Sequence, residues 1–346
     1  MPITKLRVGY VPEHFSSPLL ILGRSAWGAE HLELVSQPSG TGQMLSSLEA
    51  AGAGGQVIDV AVALTESLIA PLAKGRDDYR LVGSYVRSPL NWAVITGTSP
   101  HAARYNSISD LRGEAIGISR IGSGSMVMAS VTALQQRWLD AQGAVEAIPF
   151  KVQDTFVRLR NAVNFPASAP KETSGEAAQT AAFMWEWFTT KPFVDSGEVR
   201  FIGNVPTPWP SWTIAASRNT VLESGEQRAL LDDFLARLAS GITEFSRDSD
   251  AAQAFVRAEL GYEAADVASW FAGVRWAGDA RPNDAEMEKT GTTGQRTHTA
   301  SVSQATLQTT LDTLEQAGVV KRPEAGWEWG RFVHGATSEG AARLVE

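Results

Sequence analysis

Short apolar runs alternate with amphipathic segments through the first half of the chain. "LRVGYV" (Leu6 to Val11) reads as a strand, and "SPLLILGRSAWG" after it as a helix from near Pro18 to Gly28. "HLELVSQ" is a second strand, and "GQMLSSLEAAGAGG" is a helix ending in glycines. "QVIDVAVAL" is a buried strand and "TESLIAPLAKG" a short helix. This β-α-β-α order predicts an α/β sheet with parallel strands. "YRLVGSYV" and "LNWAVITG" are further strands separated only by "RSP", so they pair or bend rather than cross over.

Ser107 and Asp110 have the spacing of a capping box ahead of the strand "AIGIS". The helix after it carries Val127, Val131, Leu134 and Trp138 on one face. "VEAIPFKV" is another strand and "TFVRLRNAV" another helix. Residues 164–180, rich in small, polar and proline residues, read as an exposed loop. "AAFMWEWF" restores order, "EVRFIGNV" and "TIAAS" are strands, and the prolines of "PTPWPSW" make the turn between them rigid. From about residue 219 the pattern turns helical, with Ser224 and Gln227 as a capping box before the stripe Leu231, Phe234, Leu238, Ile242 and Phe245. A later helix presents Leu307, Leu311 and Leu314 and stops at Gly318.

With 346 residues, the chain is long enough for two lobes at ~150 residues each. A formal net charge of −8 with no dense basic block argues against a nucleic-acid partner or an anionic membrane surface. There are no cysteines, which excludes disulfides, thiolate metal sites and a cysteine nucleophile. No apolar run reaches the ~18 residues of a membrane span. The N-terminus runs directly into a strand pattern, so a cytoplasmic location is expected. A periplasmic or extracellular location, with a transporter as partner, is the alternative if a signal peptide has been removed.

Four stretches carry candidate chemistry, each beside a purely structural explanation. "IGSGS", with Gly122, Ser123, Gly124 and Ser125, lies between a strand and a helix, where backbone N–H groups gather. It lacks the lysine and spacer of a P-loop, and Val127 stands where a dinucleotide fingerprint needs its third glycine. A tight turn would need the same small residues. Thr65 and Glu66 follow an apolar strand at the mouth of the sheet, where α/β ligands bind, but also where a helix start wants a cap and an acid. Trp185 and Trp187 flank Glu186, an aromatic setting for a ligand that stacks and donates, or a half-buried helix start. Trp209 and Trp212 are held by prolines nearby. Glu13, His14 and Phe15 lie just past strand one, although a lone histidine is more often structural. No metal-ligand spacing, Gly-X-Ser-X-Gly elbow or His-Glu-X-X-His is present.

In order, "LRVGYVPEHFSSPL", "IDVAVALTESLIA", "SPLNWAVI", "SISDLRGEAIGISRIGSGSMVMA", "AAFMWEWFTT" and "TPWPSWTIAAS" resemble the type II periplasmic-binding-protein-like superfamily. Within it the chain looks like the nitrate, taurine, alkanesulfonate and thiamine-pyrimidine binding group, in a fungal intracellular branch. The resemblance covers roughly residues 5–260. It implies an α/β fold of two lobes, two mixed sheets joined by a two-strand hinge, with a helical C-terminal part. Crossings are expected near Trp92 to Thr96 and Trp212 to Ala216. Lobe I would comprise 1–93 and 214–346, and lobe II 94–213.

The superfamily also contains the fungal thiamine-pyrimidine synthase, in which a pyridoxal-phosphate lysine and a sacrificial histidine follow the strand matching "DVAVAL". Here Asp59 to Glu66 has neither, and the cysteines of its iron motif are missing. The expectation is therefore a non-catalytic binding protein without cofactor or metal, closing around a donor-rich, cationic or zwitterionic small molecule. Glu13, Thr65, Glu66, Ser88, Ser123, Ser125 and Glu186 would supply polar contacts beside Gly122 and Gly124. Phe15, Trp185, Trp209 and Trp212 would supply aromatic walls. An enzyme or accessory in thiamine- or pyrimidine-type metabolism is the alternative, and an interaction protein that kept the fold is a third.

Overall fold

The computed structural model describes residues 5–49, 57–164, 179–278, 299–335 and 344–345. The first strand, β1 (Leu6–Tyr10), buries Leu6 and Val8 and leads through a short turn into helix α1 (Ser17–Arg24). The apolar pattern predicts one helix as far as Gly28, but the chain breaks at Ser25. That residue is extended, and its side chain accepts from the Gly28 amide to start α2 (Ala26–His31). Strand β2 (Leu32–Ser36), helix α3 (Thr41–Glu49), strand β3 (Val60–Leu64) and helix α4 (Thr65–Ala73) follow. The glycine-rich end expected for α3 falls in 50–56, outside the described residues. The strands β4 (Tyr79–Val86) and β5 (Asn91–Gly97) do not pair with each other; each joins a different sheet.

The middle of the chain supplies β6 (Ile116–Ile118), α5 (Gly124–Gln135), β7 (Phe150–Val152), α6 (Phe156–Asn164), β8 (Ala182–Glu186), α7 (Trp187–Asp195) and β9 (Val199–Pro206). The capping box on Ser107 and Asp110 is present in full. Strand β7 is shorter than the apolar run suggests. Its ladder with β6 begins at Phe150, after Pro149, which has no N–H to donate. Most of the loop expected at 164–180 lies outside the described residues. Strand β10 (Trp212–Ser217) then returns to the first sheet.

The first sheet has the order β2-β1-β3-β10-β4 and the second β7-β6-β8-β5-β9. In the first, β10 runs antiparallel to both neighbours; in the second, β5 does. Each antiparallel strand is the one that has just crossed over from the other sheet. The crossings are short, residues 87–90 outward and 207–211 back. Each sheet with its helices forms one lobe.

Helices α8 (Gly225–Arg247), α9 (Ser249–Leu260) and α10 (Ala264–Gly273) complete the first lobe. Ser224 caps α8 by accepting from the Gln227 amide, and the stripe Leu231, Phe234, Leu238, Ile242 and Phe245 is buried. A short β11 (Val302–Ser303) pairs with β12 (Leu344–Val345), and α11 (Gln304–Gln316) buries Leu307, Leu311 and Leu314.

One buried charge ties the start of this lobe together. Asp59 is fully buried ahead of β3 and accepts from the Arg7 amide, Nε and Nη2 at 3.0, 2.8 and 2.7 Å. Asp59→Ala removes three charge-assisted bonds and leaves Arg7 partly buried without its acceptor. It is expected to cost about 3 kcal/mol in a denaturant melt. Asp233→Ala, which breaks a half-exposed pair with Arg237, should change stability by less than about 0.5 kcal/mol.

Candidate functional site

In an open α/β sheet the loops at the carboxyl ends of the strands surround the ligand position. Here both sheets turn those ends toward each other. Glu13 follows β1, Gly40 and Thr41 follow β2, and Leu64 ends β3. From the other lobe come Ser119, Ser123, Gly124 and Ser125 after β6, with Trp185 and Glu186 ending β8. With Trp92 and Trp212 these residues enclose a cavity of about 30 Å³. That is room for about one water-sized molecule. The lobes are closed.

The approach is tightest at Gly124. A Cβ there would lie 2.5 Å from Leu64 Cδ1 in the opposite lobe and 2.9 Å from the Trp92 ring. Polar contacts hold the seam as well. Trp185 Nε1 donates to Glu13 Oε1 at 2.9 Å, Thr189 and Tyr262 share a hydroxyl bond of 3.2 Å, and Lys191 Nζ lies 3.2 Å from Asp266.

Two carboxyl groups, one from each lobe, dominate the electrostatics. Burial pushes Glu13 up to about 7, against the bonds from Trp185 and Thr189 that favour its charged form. Burial, reinforced by the Glu13 charge, pushes Glu186 up to about 8. The Glu186 carboxylate also caps α7, accepting from the Thr189 amide at 2.7 Å. Behind it sits His14, whose Nε2 is 3.7 Å from Glu186 Oε1. Burial among the rings of Phe15, Phe188, Tyr262 and Trp270 drives His14 down to about 3. A neutral imidazole therefore faces a protonated acid near pH 7, and the contact is not an ion pair.

Seven of the residues expected at the site line this cavity: Glu13, Ser123, Gly124, Ser125, Trp185, Glu186 and Trp212. The others do not. Phe15 packs behind Trp212, with ring centroids 5.7 Å apart. Glu66 is buried away from the cavity and accepts from Trp209 Nε1 at 2.9 Å, so these two residues hold each other. Burial pushes Glu66 up to about 7. Thr65 is fully buried, and its hydroxyl has no partner among the described residues. Ser88 anchors the outward crossing: its hydroxyl accepts from the Arg275 amide at 3.1 Å. Gly122, at φ +80°, faces a separate pocket on the outside.

Val11, Gly40, Thr41, Leu64, Leu90, Trp92, Ser119 and the neighbouring His14 were not among the expected site residues. The rule that selected the loops after β1 and β3 applies equally to the turn after β2, and would have found Gly40 and Thr41. Trp92 opens a strand and has no such signal.

The cavity offers both kinds of hydrogen-bonding group. Glu13 and Glu186 can accept. The buried indole N–H groups of Trp92 and Trp212 have no acceptor among the described residues. No lysine or arginine lines it. Among the described residues, no group of three or more His, Asp or Glu side chains could hold a metal ion. No described helix is long and apolar enough to cross a membrane.

Residues 92–205 match the family model described as Ca3427-like PBP. Among solved structures, the Candida albicans CA3427 gene product, which exhibits the generic periplasmic binding protein fold, is 29% identical. Its TM-score is 0.74, with 93% of each chain covered. The alkanesulfonate-binding protein SsuA from Xanthomonas axonopodis pv. citri, bound to MOPS, is 16% identical, with a TM-score of 0.61 over 96% of this chain and 99% of that one. The nitrate-binding protein NrtA from Synechocystis PCC 6803 is 13% identical, with a TM-score of 0.54 over 78% and 70%. The last two share the fold alone. No curated protein matches the chain.

Proposed function

We propose, from the premise that this chain belongs to the Ca3427-like family within the type II periplasmic-binding-protein-like superfamily, that it is a non-catalytic protein closing around a small molecule between its lobes. The ligand is a donor-rich, cationic or zwitterionic heterocycle or similar metabolite. One observation carries this reading: two buried carboxyl groups, Glu13 and Glu186, meet at the cavity from opposite lobes, with tryptophans beside them and no cation in the wall. A cationic donor between them would hold both acids ionised and bridge the lobes. An anion such as a sulfonate or nitrate would find no cation to pair with and would keep both acids from ionising. Any acceptor edge of the ligand can take the Trp92 and Trp212 N–H groups. A heterocycle does not fit 30 Å³, so the lobes must part to admit it and then close less tightly upon it. The proposed lobe division, 1–93 with 214–346 against 94–213, follows the two sheets to within three residues: β5 joins the second sheet already at Asn91, and β10 the first already at Trp212.

The test is a thermal-shift and native mass-spectrometry screen of cationic heterocycles, zwitterions, sulfonates and nitrate. A cationic or zwitterionic class should raise the melting temperature, and Glu13→Gln or Glu186→Gln should weaken it at least tenfold. Stabilisation by sulfonates or nitrate, unaffected by either substitution, would sink the proposal. The closed cavity favours a second reading, an interaction protein that has given up its cleft ligand. In that case no compound shifts the melt, and small-angle scattering shows one closed form throughout.

A further inference from the structure

The cleft is not the roomiest space among the described residues. A pocket of about 600 Å³ lies on the outside of the seam and shares no lining residue with the inner cavity. It falls within the range of about 300–1,000 Å³ typical of small-molecule sites. The first lobe provides one side: Ala70, Pro71 and Lys74 at the end of α4, and Val319 just past α11. The second lobe provides the other: Ile121 and Val127 around the start of α5, with Ile148 and Phe150 leading into β7. The pocket exists in this form only while the lobes are together.

Its chemistry is one-sided. Most of the wall is apolar, and Ile121 at its edge is 69% exposed, the most exposed large hydrophobic residue among those described. The charged side chains in the wall are mostly committed. Arg76 binds Asp78 and the Leu45 carbonyl, and Glu146 binds Arg112. Lys74 is the exception. Its ammonium makes no hydrogen bond or ion pair with another described residue, and burial alone lowers its pKa. A partly desolvated cation beside an apolar wall is matched by a ligand with an anionic head and an apolar body.

We propose that this outer pocket is a second binding site, for an amphipathic organic anion whose head meets Lys74 and whose tail lies on the apolar wall, and that its occupant fastens the lobes shut. A ligand touching both walls binds the closed form better than the open one, and so shifts the population toward closure by that difference in affinity. The site needs no occupant in the inner cavity, so it can succeed or fail independently of the proposed cleft ligand.

The experiment uses octanoate as the probe, with octanol as its neutral counterpart, followed by titration calorimetry and small-angle scattering. Lys74 and Ala147 are both exposed, so Lys74→Glu and Ala147→Trp should leave the melting curve intact. Octanoate should bind the wild type, and at least tenfold more weakly to Lys74→Glu and to Ala147→Trp, whose indole takes up part of the pocket. Glu186→Gln in the inner cavity should bind it as the wild type does. Scattering should move toward the compact form on saturation. Absence of binding at millimolar octanoate, equal affinity for octanol, or affinity unchanged by both pocket substitutions overturns the site. Binding without any change in scattering overturns the fastening.

Discussion

Gly124→Phe is expected to give a folded protein whose lobes stand apart. The position is the first residue of α5, its φ is not in the left-handed region, and the helix itself tolerates a side chain there. The obstacle is across the cleft, where a Cβ would sit 2.5 Å from Leu64 Cδ1. Leu64 could shift to admit a methyl group. A phenyl ring reaches further, between Leu64 and Trp92, and the least costly response is for one lobe to swing away on the crossings at 87–90 and 207–211. Opening would break the Trp185–Glu13 bond and the Thr189–Tyr262 and Lys191–Asp266 contacts together. The radius of gyration from small-angle scattering should rise, far-UV circular dichroism should stay unchanged, and affinity for any cleft ligand should fall at least a hundredfold. Loss of the circular dichroism signal would show that the glycine serves the lobe's own core instead. Unchanged scattering would show that the seam absorbs the ring.

Raising the pH should destabilise the closed form. Glu13, Glu66 and Glu186 have folded pKa values of about 7, 7 and 8 against an ordinary 4.5. Between those limits the folded protein keeps protons that the unfolded chain has lost, so stability falls as pH rises. His14 works the other way, but only between about 3 and 6.5, and adds nothing further above that range. The net decline is therefore steepest from about pH 5.5 to 7, continues more gently to about pH 8 and levels off once the last carboxyl ionises. Each fully shifted group contributes about 1.4 kcal/mol per pH unit. The cleft pair should account for at least about 2 kcal/mol, or roughly 4 °C in melting temperature. Glutamine mimics the protonated acid. The double variant Glu13→Gln/Glu186→Gln should thus flatten the melting-temperature profile from pH 6 to 8 and exceed the wild type at pH 8. A wild-type profile that rises across that interval would contradict the buried, neutral state of the pair. A cationic ligand reverses the trend, because it binds the ionised acids and its association should release protons near pH 7.

What the sequence reveals and what it hides divide along a physical line. Periodicity is local, so β1, β3, α4, the stripe of α8 and the Ser107 capping box are legible residue by residue. The break at Ser25 is hidden, because the residues on either side of it keep a helical pattern and only the cap geometry ends α1. The separation of β4 from β5 is hidden too, since a short connection usually joins neighbours, and only the resemblance to a two-lobed family predicts a crossing. Glu13 and Glu186 are each readable as acids past strand ends. Their meeting is not: it rests on the bond from Trp185 to Glu13, 172 positions away in the chain. Glu66 shows the limit from the other side. It occupies an equivalent position past β3, yet the return crossing brings Trp209 over it and seals it from the cavity.

The two antiparallel strands have a consequence for how the chain is divisible. Trp212 pairs with Val86 in the first sheet, and Asn91 pairs with Pro206 in the second. The severed ends of each lobe are thus neighbours on adjacent antiparallel strands, the arrangement that a short hairpin turn closes. The second lobe is built as an insertion cassette in a loop of the first, with entrance and exit side by side. A two-residue turn could seal the host where the cassette leaves, and another could join the cassette's own ends into a ring, with neither sheet losing a strand.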